Sequence, residues 1–189
     1  MIRAGSVGLL VSVCALSIAA PAFAQDEAQQ MARVLCAGDP ECEALAAHRL
    51  TADNLRKMFA VDRELITLMK EVPNLERRMD DVAKRVDPQR RLGKVTLSAE
   101  VHEGIPEIAE VFRRHKISGR EYMFTHAVAM VTAMTDVTLA HASQRDGRSE
   151  TPAELMTPAL KFWRSMDPAL KAEAAAWTKM RGYDKGINR

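Results

Sequence analysis

The chain has 189 residues, with 27 Lys and Arg against 25 Asp and Glu, and only 5% of it is aromatic. So even a balance offers no field with which to hold a nucleic-acid backbone, and that partner class is excluded. A composition that is 47% hydrophobic, has 11 Met and few aromatics suits helices better than sheets.

The first element is an export signal over residues 1–24. Arg3 supplies a positive start, Val7 to Ala20 form an apolar run broken only by small residues, and Ala22-Phe23-Ala24 offers the small-x-small pattern a signal peptidase needs. Cleavage near Ala24 would leave a periplasmic or secreted protein that begins at Gln25. The apolar run falls short of the roughly 20 residues of a bilayer span, and Asp26 and Glu27 follow at once, so no retained transmembrane segment is expected. Val13 stands before Cys14 where a lipoprotein signal needs a small residue. Residues 25–182 are then expected as one all-α domain, a bundle of about six to eight helices, with residues 183–189 as a flexible tail.

Removal of Cys14 leaves Cys36 and Cys42, an even count that in an oxidising compartment predicts one disulfide. Between them Gly38 reads as a helix stop, Asp39 as an N-cap and Pro40 as a first helical residue, so the bridge would tie the two ends of a turn. A redox-active pair would need Cys-x-x-Cys spacing and strand-helix alternation, and neither is present.

Helical spacing then recurs along the chain. One helix is expected over Asp26 to Leu35 and another from Pro40 to about His48. Thr51 caps a long helix with Leu55, Met58, Phe59, Leu65, Ile66 and Met69 on one face, ended by Pro73. Asn74 is expected to cap the next, in which Leu75, Met79, Val82 and Val86 repeat before Asp87-Pro88. Gln89 to Thr96 reads as a connector, Ser98 opens a short helix, and Gly104 with Pro106 interrupts it before Ile105, Ile108, Val111 and Phe112 turn inward. Ser118-Gly119-Arg120-Glu121 is a capping box that launches the longest helix, to about Ala142. Ser143 to Ser149 reads as a loop, Thr151 to Glu154 as a second capping box, and Thr157-Pro158 and Asp167-Pro168 as further helix starts.

Two constellations on these helices can carry chemistry. On the Ser118 helix, Met123, Ala127, Met130, Met134, Val137 and His141 lie within about 80° of one another, with His126 at the edge. Thioether and imidazole ligands together suit copper, so His126, Met130 and Met134 are candidate metal ligands; as core filler, the same Met stripe would face the bundle. His126 and Met134 are about 12 Å apart along the helix axis, so one ion could not take all three without another helix. His141, near the helix end, suits the dipole as well as a ligand role. Asp62 stands amid Met58, Phe59, Leu65 and Ile66, where an unpaired carboxylate is costly, and His126 or Arg120 is the expected partner.

The stretch Arg77, Arg78, Lys84, Arg85, Arg90, Arg91 and Lys94, against Asp80, Asp81 and Asp87, is a basic face that could meet an anionic lipid or polysaccharide surface; acids spaced one turn from bases also describe a solvated helix. His102-Glu103 starts like a zinc-protease helix, but Pro106 occupies the second His position. No nucleophile elbow, phosphate loop or Cys-x-x-Cys-His haem attachment occurs. Leu50-Thr51-Ala52-Asp53-Asn54 resembles, over five residues and with Asn54 in place of Gln, the Leu-Thr-x-x-Gln signature of small periplasmic helical chaperones and metal-stress proteins. The expectation is a non-enzymatic exported protein that binds an envelope protein or anionic surface, with Trp163 or the basic face as the contact. The alternatives are a metal-binding or metal-stress protein using the His/Met helix face, and an enzyme whose carboxylates and His come from separate helices.

Overall fold

The structure is a computed structural model that describes residues 39–87, 95–146 and 156–183. The signal segment 1–24, the helix expected over Asp26 to Leu35, Cys36, Arg90, Arg91, Lys94, the Thr151 capping box and residues 184–189 lie outside the described residues. Among those described, the 3.6-residue spacing of apolar side chains produces eight helices and no strand: α1 (Pro40–Ala47), α2 (Ala52–Glu71), α3 (Leu75–Val86), α4 (Val95–Glu103), α5 (Pro106–Arg114), α6 (Gly119–Asp146), α7 (Pro158–Ser165) and α8 (Pro168–Arg181). The protein is all-α. Its chain divides into two compact units, Thr51–Ala127 and a second built from described residues up to Leu50 and from Val128 onward.

In the Thr51–Ala127 unit, α3 packs on α4, and α5 packs on both α2 and α4. The start of α2 is closed reciprocally: Thr51 N–H donates to Asn54 Oδ1 at 2.8 Å and Asn54 N–H donates to Thr51 Oγ1 at 3.2 Å. The Leu-Thr-x-x-Asn pattern is therefore accounted for as a capping box, with Asn doing what Gln or Glu does at that position. Leu55, Met58, Phe59 and Val61 of α2 are at most 1% exposed, each such burial stabilising by about 1.5–3 kcal/mol. Met69, expected on this face, is 36% exposed.

Two local expectations are corrected in this unit. Asn74 adopts a left-handed backbone, φ 59°, and makes no side-chain cap, so α3 starts without one. α4 begins at Val95 rather than Ser98: Val95 and Ala99, one turn apart, are both buried, and that burial outweighs the N-cap preference of Ser98. Ser98 instead offers its carbonyl to His102 Nδ1–H at 2.6 Å. Gly104 is dictated by packing, since a Cβ there would stand 2.7 Å from Val82 Cγ1. α5 ends in a Schellman arrangement, with Lys116 N–H to Arg113 O at 3.2 Å and Ile117 N–H to Phe112 O at 3.1 Å, Lys116 taking the left-handed position at φ 51°.

In the second unit the Pro-initiated helices have their expected caps. Asp39 accepts from Glu41 N–H at 2.9 Å, Thr157 from Leu160 N–H at 3.0 Å and Asp167 from Leu170 N–H at 2.9 Å, with Pro next in line each time. Gly182 closes α8 in the left-handed region, φ 75°. Trp163 of α7 meets Trp177 of α8 edge-on at 6.4 Å, and Tyr183, expected in the tail, packs edge-on against Trp177 at 5.3 Å.

Helix α6 continues to Asp146, past the expected end at Ala142, because Ser143, Gln144 and Arg145 contain no breaker. Its segment Gly119–His141 has a mean hydropathy of 1.3, enough by length and composition to cross a membrane. The buried side chains show how much of that apolarity serves the fold: Tyr122, Phe124, Thr125, Val128, Ala129, Thr132 and Ala133 occupy about half of its circumference. Their mean direction lies about 160° from the Met123, Met130, Met134 stripe. The Met stripe is thus the half-buried side of the helix, not its core face.

Candidate functional site

A carboxylate on the inner face of α2 must find a donor, and one turn of α6 provides it. Asp62 is 0% exposed. Tyr122 donates its hydroxyl to Asp62 Oδ1, and His126 Nε2 lies 3.6 Å from Oδ2. Tyr122 and His126 are four residues apart, so a single turn of α6 faces both carboxylate oxygens. The ring of Tyr122 is flanked by His126 at 5.8 Å, Phe112 at 5.3 Å and His102 at 6.4 Å. This cluster brings α2, α4, α5 and α6 to one point. A hydrogen bond to a charged group contributes roughly 1.5–3 kcal/mol, and more is lost when a buried carboxylate is stripped of its donor.

The charge pattern of the sequence points to His126 and Arg120 as partners of Asp62 and gives no sign of Tyr122. The available signal was positional: Tyr122 stands one turn before His126 on the same helix. Arg120, the other expected partner, lies instead over the Phe124 ring at 5.2 Å. Chemically, an Asp–Tyr–His group can relay a proton, but the carboxylate and the phenol, which is 3% exposed, are closed off from any substrate. The arrangement works as a clamp.

The remaining candidates fall elsewhere. His126 directs Nε2 toward Asp62, while Met130 and Met134 are half-buried on the stretch of α6 that belongs to the second unit. Among the described residues no group of three or more His, Cys, Asp or Glu is disposed to hold a metal ion. Arg78 of the basic face forms a two-pronged pair with Glu107 of α5, at 2.8 and 2.7 Å, and that guanidinium holds the Glu107 carboxyl down at about 2. Lys84 pairs with Asp80 at 2.5 Å, whereas Arg77 and Arg85 are exposed. Half of the described basic face is therefore answered internally, and its outward charge is smaller than the sequence count. Glu103, read in the zinc-protease pattern, accepts Gly119 N–H at 2.6 Å and closes the start of α6, where a negative charge suits the helix dipole.

No family model, curated protein or solved structure matches this chain. What it does must be read from its own surfaces.

The second unit contains an open hollow of about 500 Å³ between α6, α7 and α8. Its walls include Val137, Trp163, Met166 and Ala174, and its charged groups are Asp136, Arg164 and Lys171. Arg164 Nε donates to Asp136 Oδ1 at 2.7 Å, which fixes the guanidinium against α6. Trp163, expected as an exposed contact residue, is corrected by its 8% exposure: its ring is held against Trp177, and it forms part of the wall of this hollow. A few polar groups set in an apolar concavity are the usual make-up of a small-molecule site.

Proposed function

We propose that this chain is an exported helical protein that acts by binding a ligand rather than by catalysis. The observation that carries this reading is the contrast between its two polar constellations. Asp62 and Tyr122 are closed into the interior of one unit, with a part-exposed His126 at their edge, whereas Asp136, Arg164 and Lys171 line an open apolar hollow in the other. The first supports a fold and the second supports recognition. Residues 1–24 support delivery to the periplasm or the exterior, with cleavage near Ala24. Cys36 and Cys42 form a bridge there that ties the approach to α1.

The full chain expressed in a bacterial host and recovered after export should begin at Gln25 and, alkylated without reduction, show no free thiol. Its melting temperature should rise with at least one class in a panel of anionic, cationic and neutral amphiphiles, anionic vesicles, an envelope polysaccharide and copper. A panel that leaves the melting temperature flat throughout would contradict the binding reading, and an intact Met1 in the recovered protein would contradict export.

A further inference from the structure

The hollow between α6, α7 and α8 has a definite chemical preference. Its wall is a large aromatic and small aliphatic surface, Trp163 and Met166 with Val137 and Ala174, all held by burial of their helices. Its charged groups are two cations and one acid. Asp136 is engaged by Arg164 at 2.7 Å, so the acid neutralises one cation. Lys171 is exposed on the same rim and, among the described residues, makes no ion pair. The lining therefore has one positive charge in excess beside an apolar floor.

We propose that the hollow is a binding site for a small monoanionic amphiphile, an aliphatic or aromatic carboxylate whose tail lies on Trp163 and whose head reaches Lys171. This rests on the reading of the chain as a binding protein. A carboxylate matches the single excess charge, whereas a doubly charged phosphate would bring a charge that the lining leaves unanswered. A cationic head would face Lys171 with like charge. The volume of about 500 Å³ accommodates a ligand of this size.

Trp163 and Trp177 are the only two tryptophans of the chain and touch each other beside the hollow, so intrinsic fluorescence reports its occupation. The test is a fluorescence titration of the exported protein with octanoate, octanol and octyltrimethylammonium, each below its micelle concentration, repeated on Lys171→Glu and on Lys171→Met. Lys171 is exposed, so both variants should fold as the wild type does. Octanoate should bind about fivefold tighter than either other probe, with that preference lost in both variants and weakened by salt. Octanol binding as well as octanoate, or a preference unchanged in Lys171→Glu, would overturn the carboxylate assignment while leaving the binding reading in place. Fluorescence unmoved by all three probes overturns the assignment of the hollow, and the binding reading falls with it where the melting-temperature panel is flat as well.

Discussion

At the scale of single residues, the Thr51–Ala127 unit is organised around Asp62. A carboxylate that is 0% exposed amid Met58, Phe59 and Leu65 needs donors, and the Tyr122 hydroxyl is one, with His126 3.6 Å away. Tyr122→Phe should therefore destabilise the protein by about 1.5–3 kcal/mol, since it leaves the carboxylate without that donor. Asp62→Leu combined with Tyr122→Phe should recover part of that loss, because an apolar pair of similar volume has no donor to lose. Urea melts of the two single variants and the double variant measure this coupling; purely additive losses would show that Asp62 and Tyr122 do not act together. The need for a partner was legible in the sequence, as a lone acid in an apolar arc. The identity of Tyr122 was not, because a neutral hydroxyl leaves no charge pattern to follow.

Helix boundaries show the same division between what is written locally and what packing decides. Thr51, Ser118, Thr157 and Asp167 start helices as their chemistry dictates, and Gly182 stops one. Val95 overrides Ser98, and the buried face of α6 is built on Thr125, Ala129, Thr132 and Ala133 rather than on the Met stripe. Small residues let neighbouring helices approach closely, and nothing in a hydrophobicity count ranks them above Met. Thr51→Ala should cost about 1 kcal/mol by removing a reciprocal cap. Lys116→Gly should add about 0.5–1 kcal/mol, since a side chain occupies a left-handed position that glycine takes without strain. Chemical denaturation of each variant checks the sign, and a stabilising Thr51→Ala or a destabilising Lys116→Gly would contradict these assignments.

For the whole molecule, acid should be destabilising through two histidines. Burial holds His115 below its ordinary value, with Arg114 and Arg63 acting in the same direction; Glu64, 2.8 Å away, is already shared with Arg114 and does not reverse this. Burial lowers His48 as well. A lowered histidine contributes stability that is complete above about pH 6.5 and is lost as the pH falls from there through the folded value, because the unfolded chain takes the proton first. Stability should thus fall between pH 7 and pH 5, and the fall should be shallower in His48→Gln/His115→Gln; an unchanged slope would remove both groups from the account.

The all-α class was readable from helical spacing alone, but the hollow was not, because Val137, Arg164 and Lys171 come from three helices and share no motif. Ala175 lines the hollow and is itself exposed, so Ala175→Phe fills the space without entering the core. In a calorimetric titration with octanoate, Ala175→Phe should melt within a few degrees of the wild type and give no binding heat, while Tyr122→Phe, less stable, should bind as the wild type does at low temperature. Undiminished heat in Ala175→Phe, or binding lost in a folded Tyr122→Phe, would place recognition elsewhere and contradict the division of labour between the clamp and the hollow.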